Sequence, residues 1–309
     1  MSSWLNRAAI RPSKIIPEGK FIVKEKPATV ISAYYEMKSK YNLQDYRKWI
    51  ELFLKNIPCH LIFFTESHLH DFIKECRVGY EDRTRIIILP REEWVANSYS
   101  QDIWDALHAK DPEKNIHNPE LYKVWFEKCE FVMRGIKLNP YNHDDFIWVD
   151  AGICRKKSIM ELIKGFPVAA RIPTDKMMVL NVMPFSENDK RVSVINGISF
   201  IGGGIPKDRI GAGIIAGNKE IWQEYKNTFY SIHKKFIDAN LFWGKEQDIM
   251  KSMVLENRNL FSLIHIRPII PEKWFYSLIY LGCSNKLYER MLDEQRNKEV
   301  KTFESLIEK

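Results

Sequence analysis

The first residue in this chain placed to do chemistry is Asp150. It closes the run "DDFIWVDAG" (144–152), in which Phe146 to Val149 is apolar enough to be a buried strand. A carboxylate at the C-terminal end of such a strand sits where open α/β sheets bind their ligands. There it can hold a metal ion, a ribose hydroxyl or a proton, or it can simply form the turn into Ala151 and Gly152. Asp144 and Asp145 lie at the other end of the strand, roughly 15 Å away at about 3.3 Å per residue, and cannot share the site.

Lys128 is the second such residue. The helix predicted after Asn118-Pro119 has an apolar stripe of Leu121, Val124, Trp125, Phe131, Val132 and Ile136, and Lys128 falls on it. An ammonium on a core-facing stripe either snorkels to water or meets a phosphate or carboxylate. Two other patterns carry less. His68 and His70 form an H-x-H with no third ligand at a recognisable spacing, which reads as a surface helix start. The "GAGIIAG" of 211–217 is one residue longer than the dinucleotide fingerprint and follows "PKDR" instead of an apolar strand. It reads as a tight loop that a sugar or phosphate can approach. Lipase-type G-x-S-x-G, zincin H-E-x-x-H and P-loop motifs are all missing from the sequence.

The elements that must position these residues follow an α/β rhythm. "ATVISAYYE" is a β-rich run. After the cap Asn42 comes a helix carrying Leu43, Tyr46, Trp49, Ile50, Phe53 and Leu54 on one face. "HLIFFTES", a short helix through "LHDFIKEC" and "RTRIIILP" continue the alternation, which predicts a mostly parallel central sheet flanked by helices. Residues 91–117 form an irregular or helical excursion. Beyond Asp150, strands are expected in "KMMVLNVMPF", "RVSVINGISF" and "LFSLIHIRP", and helices over 218–238 and 245–256. The organisation expected is one large domain over 27–283, with a nucleotide-binding half at 27–152 and an acceptor half at 153–283. A basic extension (1–26) precedes it and an amphipathic helix (284–309) follows.

Composition narrows the class. A chain of 309 residues, 45% hydrophobic and 28% charged, is long enough for a substantial core and too apolar for disorder. A net charge of +7 favours an anionic partner, yet no run of five Lys/Arg marks a nucleic-acid stripe, so no nucleic acid is expected. Five scattered cysteines without a C-x-x-C indicate buried thiols in a reducing compartment. With neither a signal-peptide core nor a transmembrane-length apolar stretch, a cytoplasmic location is expected.

The segments "VISAYYEM", "IFFTES", "TRIIIL", "YKVWFEKCEFVMRGIKLNPY", "DDFIWVDAG" and "GKEQDIM" together resemble the HtrL/YibB family over roughly residues 28 to 265. The densest part is Tyr122 to Gly152, where Lys128, Asn139, Pro140, Trp148, Asp150 and Gly152 fall in the family's pattern. The resemblance implies a GT-A-type α/β fold and a glycosyltransferase that moves a sugar from a nucleotide-diphosphate donor to a hydroxyl of a glycan or surface polysaccharide. It also implies a divalent cation, Mn²⁺ or Mg²⁺, although Gly152 stands where the D-x-D metal motif of GT-A enzymes has its second aspartate.

On this reading Ser32, Ala33, Tyr34, Tyr35 and Thr65 lie at strand ends around the nucleotide, with Tyr34 or Tyr35 stacking on the base. Arg85, Lys128 and Gly152 complete the donor site, and Lys128 reaches the diphosphate. Asp150 holds the metal, and His265 is either a second ligand or a satisfied core histidine. For proton abstraction Glu246 is preferred to Asp248, because Ile249, Met250 and Met253 share its helical face while Asp248 aligns with Lys251 and Ser252. The rival from another class is a non-catalytic protein that binds an anionic glycan or nucleic acid through its aromatic and basic surface.

Overall fold

The apolar runs become strands, those inside the sheet buried on both sides, as a sheet covered by helices on each face requires. They are β1 (Ala28–Tyr34), β2 (His60–Thr65), β3 (Thr84–Ile88), β4 (Asp145–Val149) and β5 (Met177–Asn181). Later in the chain come β6 (Ser193–Ile195), β7 (Ile198–Phe200), β8 (Ile210–Asn218) and β9 (Phe261–His265). The structure, a computed structural model, describes residues 26–185, 193–195, 198–200, 208–266 and 273–297. The basic extension up to residue 25, the glycines at 202–204 and residues 298–309 of the expected C-terminal helix lie outside the described residues.

A seven-stranded sheet runs in the order β3-β2-β1-β4-β8-β5-β9, with β6 and β7 forming a separate pair. Every neighbouring pair is parallel except the two made by β8, so β8 alone runs against the rest. The C-terminal ends of β1, β2, β3, β4, β5 and β9 therefore share one edge. This is a single domain with the mostly parallel α/β architecture expected of a GT-A-type fold. The expected division at residue 152 falls between β4 and β5, within one continuous sheet.

Helices cover both faces. On one side lie α1 (Leu43–Asn56), α2 (His70–Cys76) and α5 (Lys157–Leu162). On the other lie α3 (Gln101–Lys110), α4 (Pro119–Leu138), α6 (Lys219–Asp238) and α7 (Glu246–Glu256). Their ends follow the sequence signals: Asn42 accepts from the Asp45 amide, Asn118 from the Leu121 amide, and Asn139 takes a left-handed conformation (φ 30°) to end α4. The first core also takes in α8 (Tyr276–Gly282) and part of α9 (Asn285–Asn297), where Met291 is buried and Tyr288 meets Tyr280 at 5.0 Å. Among the described residues no helix is long and apolar enough to cross a membrane.

One expectation is corrected. "GAGIIAG" is no loop: it is most of β8, buried almost throughout and paired on both sides. Glycine weakens a strand, but it admits close neighbours. A Cβ on Gly211 would lie 3.0 Å from Val182 Cγ1. The pairing with β5 jumps from Val179↔Ile215 to Leu180↔Gly211, which leaves residues 212–214 without β5 partners. That irregularity stands beside Asp150.

Candidate active site

At the shared strand edge a cleft of about 670 Å³ opens, within the range of small-molecule sites. Its floor is Lys128, Trp148, Asp150 and Glu246, with Gly211 to Ile214 of β8 beside them. The segment after β1 lines the cleft with Met37, Ser39, Lys40 and Tyr41, and the start of α4 with His117, Leu121, Val124 and Trp125. The mouth carries Arg155, Lys156 and Trp274.

Asp150 is fixed through its backbone and its side chain. Its amide donates to Gly213 O at 2.9 Å, extending the β4–β8 ladder by one residue. Its Oδ1 accepts from Trp148 Nε1 at 2.7 Å and pairs with Lys128 Nζ at 3.0 Å. Oδ2 is the oxygen left to the cleft, and the side chain is 41% exposed.

Lys128 meets its anion, in fact two of them. Its Nζ donates to Glu246 Oε1 at 2.6 Å and to Ala212 O at 3.2 Å, in addition to Asp150. The Ala212 carbonyl belongs to the stretch that the register shift leaves without β5 partners. All three N–H bonds of the ammonium are thus engaged. Lys128 lines the cleft but has no proton left for a diphosphate, so it acts there by holding two carboxylates in place.

Glu246 opens α7 with its side chain only 5% exposed. Burial pushes its pKa up, Lys128 pulls it back and Asp150 pushes it up again, and the net direction is upward. Its Oε2 is buried and meets no hydrogen-bond partner among the described residues. Asp248 is different. It pairs with Lys251 at 2.6 Å on the more polar side of the helix and does not line the cleft.

The other candidates separate by which way their side chains face. Ala33, Tyr34, Tyr35 and Gly152 line the cleft. Tyr34 lies over Tyr46 at 6.5 Å, its buried hydroxyl has no partner among the described residues, and burial pushes its pKa to about 12. Tyr35 faces the opposite core, donating to Leu89 O at 2.9 Å with its ring 4.5 Å from Trp94. It does not present a stacking face. A Cβ on Gly152 would lie 3.2 Å from Tyr46 Cδ1, so the glycine lets that ring close in.

Four assignments are corrected. Ser32 Oγ donates to Val149 O at 2.7 Å and Thr65 Oγ1 to Tyr34 O at 2.9 Å. Both hydroxyls are fully buried and tie neighbouring strands together. Arg85 is the second residue of β3, at the edge opposite the cleft, where its guanidinium lies 5.8 Å over Tyr141. His265 ends β9 and bonds Asn181 Oδ1 through Nδ1 at 2.9 Å. Three strand spacings separate β9 from β4, roughly 14 Å, so His265 and Asp150 cannot share an ion.

The donor set bears on a cation. Among the described residues no three or more His, Cys, Asp or Glu side chains group to hold a metal. Asp150 offers one oxygen beside an ammonium. That suits a cation arriving with a diphosphate, which brings its own oxygens, and is too little for an ion held by protein alone.

Other residues enter unheralded. The Arg155 guanidinium lies 4.3 Å from Trp49 and 4.9 Å from Tyr41, clamping the turn after Asp150 onto α1. Its signal was in plain sight: "RKK" follows Asp150 by five residues. His117, paired with Asp111 at 2.8 Å, had none beyond its place before the Asn118 cap.

Residues 28–280 match the family described as "Bacterial protein of unknown function (HtrL_YibB)", and the chain belongs to that family. A comparison with curated proteins gives no match. Among solved structures, mouse xyloside xylosyltransferase 1 in its apo form is similar at 12% identity, covering 84% of this chain and 95% of that one, with a TM-score of 0.44. The 4-diphosphocytidyl-2C-methyl-D-erythritol synthase of Anaerococcus prevotii is similar at 11% identity, covering 86% and 100%, with a TM-score of 0.38. Both likenesses are remote, and the site rests on this chain's own residues.

Proposed function

We propose that the chain is a glycosyltransferase that moves a sugar from a nucleotide-diphosphate donor to a hydroxyl of a glycan acceptor. The observation that carries this reading is the floor of the cleft, where Lys128 joins an open carboxylate, Asp150, to a buried one, Glu246. The nucleoside lies along the aromatic lining of the cleft, and the basic mouth of Lys40, Arg155 and Lys156 draws in the diphosphate.

Glu246, which lines the cleft, takes the acceptor hydroxyl's proton. The acceptor oxygen then bonds to the anomeric carbon as the bond from that carbon to the diphosphate breaks, and nucleoside diphosphate leaves. An upward-shifted carboxylate is the better base for this step, and Lys128 opposes the upward push of burial. A divalent cation, Mn²⁺ or Mg²⁺, held by Asp150 Oδ2 would neutralise charge on the departing diphosphate. A thermal-shift screen of nucleotide sugars with and without Mn²⁺ tests donor binding. The reading expects one nucleotide class to raise the melting temperature, and a response to none would remove the donor site.

A further inference from the structure

The segment between α3 and α4 brings an imidazole and a buried carboxylate together in the cleft wall. Asp111 is 3% exposed. Its Oδ2 accepts from the Tyr122 hydroxyl at 2.5 Å and from His117 Nδ1 at 2.8 Å, and its Oδ1 accepts from the Glu113 amide at 2.7 Å. These donors occupy the carboxylate, so Asp111 acts on a ligand only through the ring it holds. With Nδ1–H directed at Asp111, Nε2 is the ring nitrogen left to meet a ligand. The ring lines the cleft, its side chain 10% exposed and edge-on to Trp125 at 5.0 Å.

The position of this pair along the cleft says which end of a ligand it meets. Asn118, the next residue, caps α4 and donates from Nδ2 to Lys38 O at 2.6 Å, tying the helix start to the segment after β1. Lys128 lies ten residues further along α4, roughly 15 Å at about 1.5 Å per residue. A donor with its diphosphate near Asp150 and its body along α4 therefore reaches His117 with its nucleoside.

We propose that His117 is a nucleoside-recognition residue, whose Nε2 accepts a hydrogen bond from a hydroxyl or N–H of the donor's nucleoside while Asp111 fixes the tautomer. The inference rests on the nucleotide-sugar reading and assigns the nucleoside to this end of the cleft. Isothermal titration tests it, with the diphosphates of the four common ribonucleosides and with inorganic pyrophosphate as the probe of the diphosphate end alone. The proteins are the parent, His117→Ala and His117→Gln. The expected result is a loss of about ten-fold in affinity for the preferred nucleoside diphosphate in the alanine variant, with pyrophosphate unchanged. Glutamine, whose side-chain oxygen can accept the same bond, should recover part of the loss. Parent-like nucleotide binding by His117→Ala would overturn the inference and leave the transferase reading standing. An equal loss for pyrophosphate would also overturn it, by marking a general collapse of the cleft. A parent protein that binds no nucleotide would overturn both.

Discussion

Lys128 Nζ lies 2.6 Å from Glu246 Oε1, joining residues 118 positions apart in sequence. Both side chains are more than nine-tenths buried, and the ammonium is the only cation paired with Glu246 among the described residues. Removing it strands a buried carboxylate, which costs about 3–5 kcal/mol. Lys128→Met should therefore lower the melting temperature by roughly 10 °C. The double variant Lys128→Met/Glu246→Gln should regain part of that loss, because the stranded charge leaves with its partner. Calorimetry on the two proteins and on Glu246→Gln measures the coupling, and strict additivity would reduce Lys128 to packing.

Asp150→Asn keeps an oxygen for Trp148 Nε1 and removes the charge that faces the cleft. The expected outcome is a loss of Mn²⁺-dependent nucleoside diphosphate binding with the fold intact, read by titration with and without the ion. Parent-like binding would leave Asp150 as a turn residue.

Gly213 keeps room beside the same carboxylate. A Cβ there would lie 3.6 Å from Asp150 Oδ2 and 3.3 Å from Ile153 Cδ1. Gly213→Val adds two methyl groups in that space, so donor affinity should fall about ten-fold or more while the strand persists. Circular dichroism and titration together separate occlusion from unfolding.

His233 sets an acid limit on stability. It is 2% exposed, packed 4.4 Å from Trp243 and 5.0 Å from Phe126, and burial pushes its pKa down from 6.5 to about 4. The unfolded chain binds more protons than the folded one between those values. Stability present above pH 6.5 is thus lost as pH falls towards 4. His233→Phe should hold a constant offset from the parent above pH 6.5 and gain on it below, by at most about 3 kcal/mol near pH 4. Urea unfolding across that range checks the sign.

The parts of the fold legible in the sequence were those with one dominant signal. The runs at β1, β2, β3 and β4 are predominantly apolar, and α1 and α4 carry both their periodicity and their asparagine caps. The glycine pattern misled because local propensity argued for a loop, whereas β8 owes its strand to β4 and β5 on either side. In the site, the helical phase that set Glu246 towards the body and Asp248 towards Lys251 agrees with the structure. Ser32, Thr65 and His265 looked alike as polar residues near strand ends. What separates them from Asp150 is a hydrogen-bond partner on another strand, and no local pattern encodes that. Lys128 was legible as a buried cation in need of an anion, but its partners are supplied by elements 22 and 118 residues away.

Turnover separates a transferase from a binding protein most directly. Parent protein, incubated with a panel of nucleotide sugars, glycan acceptors and Mn²⁺ or Mg²⁺, should release nucleoside diphosphate from one donor class in an acceptor-dependent way. Glu246→Gln should slow that release by about 100-fold or more while donor affinity stays near the parent value. Loss of rate in Asp248→Asn with Glu246→Gln still active would move the base to the other carboxylate. No nucleotide release from any donor at any metal concentration, together with polyanion binding that weakens steeply with salt, would contradict the transferase and leave a binding protein in its place.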